Sequence, residues 1–200
     1  MTETGRNDEA ATGQRDLTRH DWVMAALAAM AEGGVEAVKV ERLARTLGVS
    51  KGSFYWHFKD RPALLSAVLD LWDGEFTRQL IDHAAHLPTP AERLREVARQ
   101  ALVATMHGVD SARAEAAVQA WATTDATAAA RLAGVEAARI GYIARELTAA
   151  GMAEDKAKQM GKALYMALLG LYAARGHNAA LADDAAFLAL SELVLADAGA

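Results

Sequence analysis

An all-α fold follows from three features of this chain of 200 residues. Alanine and leucine dominate a composition that is 52% hydrophobic with only three prolines, and both are strong helix formers. Apolar residues recur at helical spacing through most of the chain, while almost no run alternates with the period of two that a half-buried strand needs. Capping residues stand at the breaks in the pattern, at Thr18, Asp60 and Thr89. About nine helices and no sheet are expected.

Residues 1–16 mix Gly, Thr, Glu, Asp and Arg without periodicity and predict a disordered tail. The first helix opens at Thr18, where Asp21 completes a capping box, and carries a stripe of Trp22, Ala25, Ala26, Ala29 and Met30 to a stop at Gly33-Gly34. A second helix, from Lys39 or Val40 to Leu47, buries Val40, Leu43, Ala44 and Leu47. Gly48 suits a left-handed helix stop, and Ser50 can accept from the N–H groups that open a short third helix. On that helix Phe54 and Phe58, four apart, share a face to bury, which leaves Lys51, Gly52, Ser53, Tyr55, Trp56 and His57 for other faces. Two helices joined by a short Gly-containing turn, with donors and aromatics on the second, make the helix-turn-helix pattern of a DNA-reading unit. A plain buried helical hairpin is the competing reading.

Asp60 caps a long fourth helix with Pro62 in its first turn, and its stripe of Leu65, Val68, Leu69, Trp72, Phe76 and Leu80 runs toward His86. After the break at Leu87-Pro88, Thr89 and Glu92 form a second capping box. The fifth helix is expected to reach His107 over Leu94, Val97, Ala98, Ala101, Leu102 and Met106, with Gly108 as its stop. An Ala-rich helix bearing Val118 and Trp121 follows, then a longer one from Thr124 or Asp125 to Ala150. The last two helices span about 153–175, closed by Gly176, and about 180–196. Both are broadly apolar, so they are either central to the monomer or a subunit interface, and homodimerisation through this pair is expected.

The chain carries no cysteine, which excludes a disulfide framework, and no apolar run long enough to suggest a membrane span. No apolar signal core opens the chain, so a cytoplasmic location is expected. A net charge of −5 excludes a uniformly basic coat. Its distribution is uneven: Arg15 to Arg61 holds eight Lys or Arg against six acids, and the remainder from Pro62 holds twelve against seventeen.

Thr18 to about Phe76 resembles the tetracycline-repressor (TetR) family of transcriptional regulators. The resemblance rests on the capped first helix ending in Gly33-Gly34, Leu43-Ala44, the turn Gly48-Val49-Ser50, the run from Phe54 to Lys59, and Leu64-Leu65. It is looser in the rest of the chain, at Val118 to Trp121 and Gly161 to Tyr165. It implies a helix-turn-helix DNA-binding domain over 17–61 and an effector-binding and dimerisation domain over 62–200, with double-stranded operator DNA and a small-molecule effector as partners. The DNA face it implies is Lys51 and Ser53 at base edges, Gly52 allowing close approach, Tyr55 and Trp56 in aromatic or phosphate contact, and Ser50, His57, Lys59 and Arg61 on the backbone. Lys39 departs from the family, which often has Thr there. It lacks a capping oxygen and sits against the helix dipole, and could pair directly with a phosphate.

Trp72, Phe76, Met106, Trp121, Tyr142, Tyr165 and Met166 are candidate linings of an apolar ligand cleft, although each also suits plain core packing. Ser53 and His57 share a helix face, but no oxyanion donors or orienting group accompany them, so no catalytic set is expected. His83, His86 and His107 lack a cysteine or carboxylate partner, and neither metal nor cofactor is expected. The expected function is ligand-responsive transcriptional regulation, as a repressor released from a palindromic operator by a small hydrophobic or aromatic molecule. The alternatives are a helical interaction protein with a degenerate DNA head and a helical enzyme.

Overall fold

Local capping chemistry sets where the first helices begin and end. The computed structural model describes residues 17–199, with the side chains of Glu75, Phe76 and Met106 outside the described set. The tail expected over 1–16 likewise lies outside the described residues. Helix α1 (Arg19–Gly33) opens with the expected reciprocal box: Asp21 N–H donates to Thr18 Oγ1 at 3.2 Å, and Thr18 N–H donates to the Asp21 carboxylate at 2.7 Å. A single 3-10 turn over Val35–Ala37 leads to α2 (Val40–Thr46).

The stop after α2 is a Schellman motif. Gly48 takes φ +72°, the Val49 N–H donates to Ala44 O at 2.9 Å and the Gly48 N–H to Arg45 O at 3.2 Å. Helix α3 (Lys51–Phe54) is shorter than expected and continues as single turns through His57. Ser50 occupies its N-cap position without a side-chain capping bond, so the expected Ser50 cap is not made. Phe54 is fully buried, edge-on to Trp22 of α1 at 5.4 Å and stacked with Phe58 at 5.6 Å.

Helix α4 (Arg61–Asp73) is capped by Asp60, whose carboxylate accepts the Ala63 N–H at 2.8 Å. It does not run toward His86 as one α-helix. A π-helical turn over Gly74–Arg78 joins it to α5 (Gln79–Ala84), so the expected long helix is helical throughout this stretch but changes its hydrogen-bond pattern midway. Helix α6 (Pro90–Ala101) starts with the expected Thr89–Glu92 box.

Two expectations fail beyond Ala101, that the fifth helix reaches His107 and that the chain forms no sheet. Thr105–Met106 and Val109–Asp110 pair instead as a two-stranded antiparallel hairpin. Its two-residue turn, His107 at φ 51° and Gly108 at φ 80°, has both central residues in the left-handed region that a type I′ hairpin needs. Gly108 is therefore a hairpin glycine rather than a helix stop.

Helices α7 (Ser111–Ala122) and α8 (Ala126–Ala149) follow, capped by Asp110 and Asp125. Helix α9 (Glu154–His177) runs through Gly176 instead of stopping there, and α10 (Asp184–Ala198) starts later than expected because Asp183 supplies its cap. The described residues thus hold ten α-helices, the added one arising at the π turn.

One core joins the N-terminal helices to the body. Trp22, Leu27 and Met30 of α1, Leu64, Val68 and Trp72 of α4, and Val118 and Trp121 of α7 belong to a single buried cluster. A second cluster lies among α6, α8, α9 and α10, through Leu94, Leu147, Leu164 and Val194. Ion pairs tie its surface: Arg93 to Glu146 at 2.8 Å and Arg95 to Glu192 at 2.7 Å. No described helix is long and apolar enough to cross a membrane.

Candidate nucleic-acid interface and buried cavity

Burial of Phe54 and Phe58 leaves the rest of the α3 segment facing outward. Tyr55 is 57% and Trp56 89% exposed, an exposure of large aromatics that no packing requirement explains. Lys39, Ser50, Lys51, Gly52 and Lys59 are also exposed, with Ser53 and His57 half-buried beside them. Tyr55 is not loose, because its ring stands edge-on to Phe54 at 5.2 Å. Arg19 lies over the Phe58 ring at 4.6 Å and closes the hydrophobic edge from the α1 side.

Lys51 Nζ donates to Glu41 Oε1 at 2.5 Å across the α2–α3 elbow. That bond holds the Glu41 carboxyl below its ordinary range and the Lys51 ammonium above its own. Lys39 caps α2 by backbone alone, as expected from its lack of an acceptor. Arg61 differs from its neighbours. Its guanidinium turns inward, donating from Nε to Val38 O at 2.7 Å and from Nη2 to Val35 O at 2.6 Å, so it latches the start of α4 to the 3-10 turn.

A cavity of two adjoining lobes lies in the helical body. The first has a cavity volume of about 80 Å³ and is lined by Thr77, Leu80, Gln100, Val103, Glu115, Arg139, Tyr142, Tyr165 and Tyr172 among others. The second, about 60 Å³, is almost wholly apolar, bounded by Leu94, Leu147, Leu164, Phe187 and Leu195. Val97, Ala101, Ile143, Tyr165 and Leu168 are common to both.

The polar end of the first lobe is built around Arg139 and the buried Glu115. Arg139 Nη1 donates to Glu115 Oε1 at 2.9 Å and to Tyr165 Oη at 3.3 Å, and Arg139 Nε donates to Thr77 Oγ1 at 2.9 Å. Trp72 Nε1 donates to the other Glu115 oxygen at 3.2 Å. Burial opposes the Arg139 charge, but Glu115 and Tyr165 outweigh it and hold the guanidinium above its usual value. Burial, and then the Glu115 charge, push the Tyr172 hydroxyl up to about 12 and raise Tyr165 as well. Tyr172 Oη donates to Ala101 O.

Of the seven expected lining residues, Tyr142 and Tyr165 line the first lobe, while Phe76 and Met106 have side chains outside the described set. Three do not line it. Trp72 is buried behind Glu115 as its hydrogen-bond donor. Trp121 borders a surface groove against α4 instead, with Arg61, Leu65 and Leu69. Met166 is 58% exposed on the outer side of α9 because its neighbours Leu164 and Tyr165 take the inward positions. Thr77, Glu115, Arg139 and Tyr172 escape a reading of the sequence. The available signal is a charge on an apolar stripe: Glu115 lies three residues before Val118, and Arg139 stands between Val135 and Tyr142.

Residues 23–68 match the family model described as bacterial regulatory proteins, tetR family. The HTH-type transcriptional regulator AcrR of Shigella flexneri is 30% identical over 90 residues, 44% of this chain, and the chain spans 42% of that regulator's length. Among solved structures, SCO4454, a TetR-family transcriptional regulator from Streptomyces coelicolor, superposes with TM-score 0.77 at 21% identity, covering 91% of this chain and 90% of that one. The transcriptional regulator FadR from Bacillus subtilis in complex with stearoyl-CoA superposes with TM-score 0.65 at 19% identity, over 92% of this chain and 100% of that one. These superpositions show a shared fold over both the N-terminal helices and the body.

Proposed function

We propose that the chain is a ligand-responsive DNA-binding transcriptional regulator, acting as a repressor, from the match of residues 23–68 to the tetR family of bacterial regulatory proteins. Residues 17–61 form the DNA-binding head and 62–200 the effector-binding and dimerisation body. The observation that carries this reading is that α4 touches both machines. Its first residue, Arg61, is bonded to the head at Val35 and Val38, and near its other end Trp72 is bonded to Glu115 in the cavity. At 1.5 Å per residue these points are about 16 Å apart along one rigid element. A molecule that rearranges the cavity therefore shifts the head and changes its fit to successive major grooves.

Within the head, Lys51, Gly52, Ser53, Tyr55 and Trp56 meet bases, and Lys39, Ser50, His57 and Lys59 hold phosphates. Arg61 acts from inside, by fixing the start of α4, rather than as a phosphate contact. The body pairs with a second copy through α9 and α10, which leave Met166, Leu190 and Leu193 exposed in the monomer. That FadR, which shares this fold, forms a complex with stearoyl-CoA supports an organic effector for this chain.

Fluorescence anisotropy with palindromic DNA from the region flanking the coding sequence tests the reading. Tight binding that weakens steeply with salt is expected. Binding that ignores salt, or none at all to any flanking segment, would overturn it in favour of an interaction protein with a degenerate head.

A further inference from the structure

The cavity already holds a cation of its own. The Arg139 guanidinium is paired with the buried carboxylate of Glu115 at 2.9 Å and lies over the faces of Trp72 at 5.0 Å and Tyr165 at 6.0 Å. A buried carboxylate with the Tyr165 ring near it in the lining is what a weakly hydrated organic cation requires, since a ring quadrupole and a desolvated negative charge both act on it. We propose that the effector is an amphipathic organic cation whose ammonium-type head competes with Arg139 for Glu115, while its tail lies in the apolar second lobe. This rests on the reading that the cavity is the effector site.

Two further observations choose a cation over an anion. Among the described residues, Glu115 and Arg139 are the only charged ones lining either lobe, and the Glu136 carboxyl outside them feels the charge of both. The Glu136 carboxyl and the Tyr165 and Tyr172 hydroxyls are all raised, first by burial and then by Glu115, so a further negative charge is disfavoured at this end of the cavity. A carboxylate head would add a negative charge beside that of Glu115.

The shape of the cavity accounts for the tail. The lobes meet at Val97, Ile143, Tyr165 and Leu168, and the second ends against Phe187 and Leu195 of α10 with Ser191 among its few polar linings. A short alkyl chain attached to a head at Glu115 runs past Tyr165 into apolar surroundings. Drawing Arg139 off Glu115 also disturbs its bond to Thr77 in the π turn, the joint between α4 and α5. Occupancy and the head are thereby coupled through the same guanidinium.

Calorimetric titration of the full chain with octyltrimethylammonium, 1-octanol and octanoate tests the inference. The ammonium probe should bind about tenfold more tightly than octanol, and octanoate more weakly than either. Glu115→Gln should abolish the ammonium preference, read as the ratio of ammonium to octanol affinity in a variant whose helical circular dichroism matches the wild-type chain, and Glu115→Asp should keep that preference. Equal affinities, a preference for octanoate, a preference that survives Glu115→Gln, or no binding of any probe overturns the proposal. Operator binding by the same preparation is measured separately by anisotropy. If it persists without an ammonium preference, this inference alone falls, and if it is absent while the preference holds, the regulatory reading falls.

Discussion

Trp72 of α4 donates its indole N–H to Glu115 of α7 at 3.2 Å, across 43 residues of sequence and in a fully buried setting. The bond satisfies the carboxylate oxygen that Arg139 leaves open, so the α4 helix and the cavity share one hydrogen-bonded unit. Trp72→Phe retains an aromatic ring but leaves that oxygen unpaired. A buried unsatisfied acceptor costs about 1 to 3 kcal/mol, to which the smaller ring adds a packing loss. Urea denaturation should show the loss, and a double-mutant cycle with Glu115→Gln should return a coupling of about 1 kcal/mol. Additive single effects would mean that the contact carries no coupling.

Arg61 tests whether a basic residue beside the DNA face serves DNA or the fold. Its two bonds to the carbonyls of Val35 and Val38 occupy the side chain inside the protein. Arg61→Ala should destabilise the chain by about 2 kcal/mol, the scale of charge-assisted bonds to backbone. The slope of operator affinity against salt should stay unchanged, since no phosphate contact is lost. A slope reduced by about 1 in Arg61→Ala would return this residue to the phosphate-binding set.

Glu41 competes with phosphate for Lys51. Both side chains are exposed, so the ion pair between them exchanges readily for one with DNA. Removing the acid should free the lysine and relieve repulsion of the backbone: Glu41→Gln is expected to tighten operator binding several-fold at low salt, with the gain fading as screening rises. Lys51→Gln should weaken binding and lower the salt slope by about 1. Anisotropy titrations over a series of salt concentrations measure both, and unchanged affinity in Glu41→Gln would show that the pair does not sit in the DNA footprint.

Gly48 makes the elbow between α2 and α3 possible. Its φ of +72° is open to glycine without strain, and a methyl group added there would meet no atom within 4 Å beyond its chain neighbours, so the cost of Gly48→Ala comes from the backbone alone. About 1 kcal/mol is expected, read as a shift in the urea midpoint at constant slope. A neutral substitution would imply that the turn relaxes to another conformation.

The head is legible in the sequence because its determinants are local. The Thr18–Asp21 box, the Gly48 stop and the Phe54–Phe58 face each lie within a few residues, where capping and periodicity act. The polar end of the cavity is not, because its members meet only through packing: Arg139 reaches Glu115 across 24 residues and Thr77 across 62. In an Ala-rich body the helical stripe has little contrast, so inward-facing charges do not stand out and Met166 reads as inward although it lies on the outer side of α9. The hairpin at 105–110 is hidden for another reason. The apolar register of α6 continues through Leu102 and Met106, and only the His107-Gly108 pair marks the type I′ turn.

The last prediction concerns the outer face of α9 and α10. Leu193 is 69% and Leu190 39% exposed three residues apart on α10, and Met166 is exposed on the adjacent α9. A second copy that covers these side chains removes them from water at about 25 cal/mol per Å² of apolar surface, and two-fold pairing places two heads on one operator. Leu193→Glu puts a charge in that face while leaving the interior clusters untouched. Sedimentation velocity should show a dimer for the wild-type chain and a monomer for the variant, with operator affinity lower by at least about tenfold once the half-sites are bound singly. A Leu193→Glu protein that still sediments as a dimer would remove this part of α10 from the interface.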